Sequence, residues 1–215
     1  GDPQRGRDMA LASELILAKS PLPKIDSRCT FISQGCIFHW TSPLKDTIAL
    51  LLKGYKMGIK YGDISSTGVN QSLLVSHTYL AGCSLEETDK YTSLNFGLLT
   101  AESSDAIQTQ LTKYDTHVWH LVVSKLRGIE LEENETDFDG ILKIAQETNN
   151  TGLRSVLFAA QLDLNIMLFS EWETAADLLQ EAGDLRSALV GIFTGVRFTF
   201  CEALISIKTA QSSSV

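Results

Sequence analysis

An all-α fold of antiparallel helical hairpins is what this sequence predicts, and three observations predict it. Apolar residues recur at helical spacing along nearly the whole chain, and no segment sustains the period-two alternation of a sheet strand. Three of the four prolines (Pro3, Pro21, Pro23) fall before residue 24, leaving a long interior open to helices. Finally, Leu153-Arg154-Ser155-Val156-Leu157 is echoed 32 residues later by Leu185-Arg186-Ser187-Ala188-Leu189. Each copy follows a helix-stop signal, Thr151-Gly152 or Gly183-Asp184, and Gly62-Asp63-Ile64 has the same stop-then-restart form. A repeat of roughly 30–45 residues is the mark of stacked helical hairpins.

The helices follow in order. Met9, Leu11, Leu15 and Ile16 make a short first helix, closed before Pro21 and Pro23. A second runs from about Lys24 to Trp40, with Phe31, Ile32, Cys36 and Phe38 as its core face. The third starts at Pro43 and carries the stripe Leu44, Ile48, Leu51, Leu52, Tyr55 and Ile59, and Gly62 ends it in a left-handed conformation. Gly54 and Gly58 lie four apart on this helix. Each costs about 1 kcal/mol against alanine, so close approach of a neighbouring helix is the expected compensation.

The fourth helix covers Ile64–Gly82. The fifth opens on a capping box, Ser84 with Glu87, and continues through Tyr91, Leu94 and Leu98. The sixth carries Ile107, Leu111, Tyr114, Val118, Leu121 and Val122 before Gly128. An acidic loop near 129–136 follows. Thr136 then caps a seventh helix (Phe138, Ile141, Leu142, Ala145). The eighth carries Leu153, Val156, Leu157, Ala160 and Leu164, the ninth Trp172, Ala175, Ala176 and Leu179, and the tenth Leu185, Leu189, Ile192 and Val196. Connections of about two to eight residues force antiparallel neighbours. The recurring helix–turn–helix unit is that of a tetratricopeptide-like superhelical array, expected as a single domain over 1–215.

The run Cys29–Asp63 contains Phe38-His39-Trp40, Pro43-Leu44, Leu51-Leu52-Lys53-Gly54-Tyr55, Gly58 and Tyr61-Gly62-Asp63. It resembles the helical region of large multidomain signalling ATPases. In those proteins a protein-kinase-like domain and an AAA-type predicted ATPase domain precede a tetratricopeptide-like array, and sensor, histidine-kinase or cyclase domains often follow. The likeness is one of pattern and extends over most of the chain, including the Trp172-to-Leu189 hairpin. Its motifs are structural, so the resemblance implies a scaffold and no active site. The 215 residues hold no G-x-x-x-x-G-K-S/T phosphate loop, no kinase H-R-D or D-F-G element and no G-x-G-x-x-G. Catalytic domains of such a parent would lie outside this segment. The chain starts at Gly1 and opens directly into helix-like sequence, which suggests a fragment of a longer protein.

Composition narrows the function classes. Hydrophobic residues make up 44% and charged residues 20%, the balance of a folded chain. With 18 basic against 26 acidic residues, the net charge of −8 repels a phosphate backbone, and no Lys/Arg cluster offsets it, so nucleic acid is not an expected partner. The most apolar stretch, near Ile192–Ile207, is interrupted by Arg197 and Glu202, so no membrane span is expected. Cys29, Cys36, Cys83 and Cys201 are scattered without a C-x-x-C pair, and no signal peptide is evident. They read as reduced thiols of a cytoplasmic protein, and the sequons at Asn70, Asn134 and Asn149 as chance.

The remaining constellations are weaker. His117 and His120 lie three apart on one helix, but two imidazoles do not make a metal site. Cys36 and His39 form a C-x-x-H pair with no matching second half, and Cys36 reads as a buried small hydrophobe. Glu130–Asp139 holds six carboxylates in ten residues, yet Gly140 follows the run and does not interrupt it as a calcium loop requires. No cofactor, metal or catalytic residue is assigned. Tyr55, Tyr91, Tyr114 and Trp119 could line a partner-binding groove or simply fill a helix–helix core, and both readings stand. The expected function is a non-catalytic scaffold that binds a protein partner or a neighbouring domain of the same chain. The alternative is a small-molecule sensor with a pocket between helices.

Overall fold

A computed structural model describes residues 2–94, 106–130, 136–189 and 191–212. Every regular element among these residues is helical. The all-α expectation therefore holds. The chain divides into two compact units, Gly1–His117 and Val118–Val215.

In the first unit, Asp2 caps α1 (Pro3–Lys19) by accepting from the backbone N–H groups of Gln4 and Arg5. Ala10 is its one buried residue, whereas Met9, Leu11, Leu15 and Ile16, the residues that predicted this helix, are exposed. The helix instead meets its neighbours through Ala10 and Glu14.

Pro23 opens α2 (Pro23–Thr30), which runs on as a π-helix, Phe31–Ile37, and a 3-10 turn, Phe38–Trp40. The span matches the predicted helix, but its inner face does not. Phe38 is buried, yet Ile32 is exposed and Ser33, Gln34 and Gly35 are buried in its place. The wider π turn rotates the face away from the 3.6-residue stripe.

The hairpin of α3 (Leu44–Tyr61) and α4 (Ile64–Leu80) is the centre of this unit. Gly62 sits at φ 74°, and the N–H of Asp63 donates back to the Gly58 carbonyl at 2.9 Å. Asp63 then caps α4 by accepting from the Ser66 N–H at 3.1 Å. Thr47 meets His77, Gly54 faces Asn70 and Gly58 faces Thr67. Partners that advance in opposite directions define antiparallel helices. A Cβ on Gly54 would lie 2.4 Å from Asn70 Oδ1, and one on Gly58 would lie 2.2 Å from Thr67 Oγ1. The glycine pair is thus a close-approach site, as expected from the sequence.

The helix α4 is buried on most of its circumference although it is rich in polar residues. The Asn70 amide donates to the Ser27 carbonyl (2.9 Å), the Ser27 hydroxyl (3.1 Å) and the Ser66 carbonyl (2.8 Å). The Gln71 amide donates to the carbonyls of Tyr91 (3.2 Å) and Leu94 (2.8 Å) at the end of α5 (Leu85–Thr92). Ser84 caps α5 through the Glu87 N–H at 3.1 Å, as predicted. The division between the units falls within α6 (Ala106–Arg127). Leu98 and the side chains of Ile107 and Leu111 lie outside the described residues.

In the second unit, α7 (Phe138–Glu147) is capped by Asp137, which accepts from the Gly140 N–H at 2.8 Å. The cap sits one residue beyond the predicted Thr136. Asn150 caps α8 (Thr151–Asp163) through the Leu153 N–H. Thr151-Gly152 therefore belongs to the first turn of a helix; the preceding stop is Asn149, at φ 50°. The helix α8 continues as a π-helix, Leu164–Phe169, before α9 (Trp172–Ala182). Thr151–Phe169 is long and apolar enough to cross a membrane, a stretch not singled out from the sequence, and most of it is buried in the protein.

The predicted tenth helix is corrected. Arg186–Leu189 is a 3-10 turn, and α10 spans Phe193–Ser212. Gly183 (φ 66°) and Gly191 (φ 85°) bound this turn on either side with positive φ, which an α-helix cannot run through. The two echoed pentapeptides thus adopt different conformations. Arg154, from the first copy, donates its guanidinium to the Glu181 carbonyl at 2.9 Å and so satisfies the C-terminal end of α9. Ala159, Leu162, Ile166, Ala175, Leu189, Phe198, Cys201 and Ile205 form one core cluster, Phe158, Ala182 and Leu185 another, and the partly exposed Arg197 pairs with the buried Asp163.

Two stability measurements check this packing. Gly58→Ala is expected to destabilise by about 1–3 kcal/mol in urea melts, because the added methyl overpacks the α3–α4 contact. Helix propensity alone would give the opposite sign, by about 1 kcal/mol. Arg197→Ala is expected to cost about 3 kcal/mol by stranding the buried Asp163 carboxylate.

Candidate functional site

A cleft of about 400 Å³ opens in the first unit between α1, α2 with its π extension, and α3. Its walls include Leu17, Leu22, Leu50, Met57 and Tyr61, and its floor includes Thr30, Ser33 and Gln34. The π segment is what brings Ser33 and Gln34 inward. Glu14 crosses to them from α1: it accepts from Gln34 Nε2 at 3.0 Å and lies 3.4 Å from Ser33 Oγ, whose single proton has a nearer acceptor in the Thr30 carbonyl at 3.2 Å. Asp26 and Lys53 add opposite charges to the lining. The product is a half-apolar slot with a polar floor, suited to holding an amphipathic group.

A second cluster lies deeper in the same unit. Thr47 Oγ1 and His77 Nδ1 are 2.7 Å apart, and Thr47 Oγ1 also donates to the Leu44 carbonyl at 2.7 Å. A hydroxyl has one proton to give, so His77 must donate from Nδ1. Its Nε2 then carries a lone pair, buried and without a hydrogen-bond partner among the described residues. The His39 ring stands edge-on to it at 6.1 Å and packs on Trp40 at 5.0 Å. Burial pushes His77 down to about 3, helped by the neighbouring His39, and burial lowers His39 to about 4. Neither ring is poised as a base at neutral pH.

The thiols of Cys29, Cys36 and Cys201 are equally unprimed. Burial raises Cys36 and Cys29, and Cys201 is pushed up to about 11 by burial and by Asp163. Among the described residues no three His, Cys, Asp or Glu side chains gather to hold a metal ion. His120 Nε2 lies 3.5 Å from Ser124 Oγ, one turn along its own helix.

Tyr55 and Tyr91 are buried in the first unit, Trp119 is buried in the second, and Tyr114 is half-buried on α6. The sequon Asn70 is fully buried, while Asn134 and most of the acidic loop lie outside the described residues. The cleft was missed from sequence because its polar floor sits where periodicity placed a solvent face. Comparison with known protein families, curated proteins and solved structures returns no match for this chain.

The buried histidines set a pH dependence with a definite sign. Both have folded values below the ordinary 6.5, so their contribution to stability is present above 6.5 and is lost as pH falls toward 4. Asp115, pushed up to about 7 by burial, acts oppositely, losing stability as pH rises from 3.8. The two effects overlap in a global melt, so the test is residue-specific. Imidazole NMR titration is expected to leave His39 and His77 neutral down to at least pH 5.

Proposed function

We propose that this chain is a non-catalytic helical binding module that holds a protein partner, or a neighbouring domain of its own chain, in the cleft between α1, α2 and α3. The observation that carries this reading is the cleft itself, with apolar walls over the Glu14–Gln34–Ser33 floor. Apolar contact supplies affinity in such a slot, and the fixed polar groups select orientation. The neutral, buried histidines and raised thiols support a binding role over acid–base or nucleophilic chemistry.

The finer reading is a tetratricopeptide-like array serving an intracellular, cytoplasmic signalling ATPase or kinase. Its support is the hairpin geometry of α3–α4 and the pattern of Cys29–Asp63. A small-molecule sensor is the second reading, favoured by a cleft volume within the range of ligand pockets, about 300–1,000 Å³.

Leu50→Arg places a charge at the rim of the cleft on a side chain already 42% exposed, so the fold should persist. Quantitative affinity capture is expected to lose a defined set of proteins with Leu50→Arg and to keep it with Thr174→Arg in the second unit. Thermal stabilisation by a metabolite, abolished by Leu50→Arg, would favour the sensor. A saturable ATP isotherm in calorimetry with this chain would overturn the non-catalytic reading.

A further inference from the structure

The helix α1 turns its apolar residues away from the protein. Ala10 and Leu17 face inward with Ser13 and Glu14, while the opposite side exposes Leu11, Leu15 and Ile16. Leu15 and Ile16 are each 63% exposed. Asp8, Ala12, Leu15 and Lys19 follow one another at spacings of four, three and four residues, forming a seam along one face with Leu11 and Ile16 beside it. All six are exposed. An outward apolar row flanked by opposite charges is the pattern of a helix that packs on another helix.

We propose that this face is a self-association surface on which α1 of a second copy of the chain docks antiparallel. The charges choose both occupant and direction. When Ala12 faces Leu15 of the second copy, small fits against large, and Asp8 falls opposite Lys19 of that copy. The two-fold axis repeats both contacts at the other end. A parallel pair would set Asp8 against Asp8 and Lys19 against Lys19. A single helix pair of this length is smaller than a standard interface, so the dimer is weak, with a dissociation constant in the micromolar range. None of the seam residues lines the cleft, so the proposal stands apart from the cleft's role.

Sedimentation equilibrium of the whole chain from about 1 to 500 µM, at roughly 0.15 M salt, reads this directly. A reversible monomer–dimer equilibrium is expected. Combining Leu15→Glu with Ile16→Glu should weaken it at least about 100-fold and leave circular dichroism and melting unchanged, because both side chains face solvent. Asp8→Lys alone should weaken it about 3- to 10-fold, and adding Lys19→Asp should restore the original constant. A monomer throughout the range, or a dimer that survives the double Glu substitution, overturns the proposal. Indifference to Asp8→Lys, or no rescue by Lys19→Asp, overturns the antiparallel seam.

Discussion

The amide of Asn70, fully buried, binds α2 through Ser27 and its own helix through Ser66, while its Oδ1 lies against the bare backbone of Gly54. Three helices meet there with no room for a side chain on α3. The contact expresses a wider constraint: α4 is enclosed although it is polar. A buried polar group without a partner costs about 1–3 kcal/mol. Ser66 Oγ, Asn70 Oδ1, Gln71 Oε1 and His77 Nε2 have no hydrogen-bond partner among the described residues, while neighbours meet the donors of Asn70 and Gln71 and His77 Nδ1 at set heights. Ser27 does so on α2 and Thr47 on α3, and the Tyr91 and Leu94 carbonyls do so after α5. Apolar contacts tolerate sliding, whereas these bonds do not. They fix the register of the first unit and thereby the positions of the cleft walls carried by α2 and α3.

The second unit meets a similar demand with fewer polar devices. Its central helix, α8, is enclosed mainly by apolar side chains, and two arginines handle the exceptions. Arg197 neutralises the buried Asp163, and Arg154 reaches the last carbonyls of α9. The Arg of the pentapeptide echo thus has a specific task in the first copy. In the second copy the same residue type sits in a 3-10 turn bounded by glycines.

Features that depend on local chemistry were legible in the sequence. Gly62 ends α3, Ser84 caps α5, and the α3 stripe buries Ile48, Leu51 and Tyr55. The Gly54/Gly58 pair was legible too, because two helix-weakening residues at one-turn spacing demand a compensating contact. What stayed hidden depends on the partner surface. Nothing local distinguishes Gln34 on a cleft floor from Gln34 in solvent, and periodicity presumes 3.6 residues per turn where the chain adopts a wider one. The outward face of α1 was not legible for the related reason that an apolar stripe says a helix packs, without saying on what.

The π segments change what a count of residues means. Each wider turn takes up about one more residue than an α turn, so the chain behind it is rotated by roughly 100° relative to an uninterrupted helix. Leu164–Phe169 lies between Leu153 and Leu185. Part of that 32-residue interval is therefore spent in a wider turn at the end of a helix, and the interval is not a geometric period. Aligning the two halves of this chain by equal spacing would superpose residues that point in different directions, even where the letters agree.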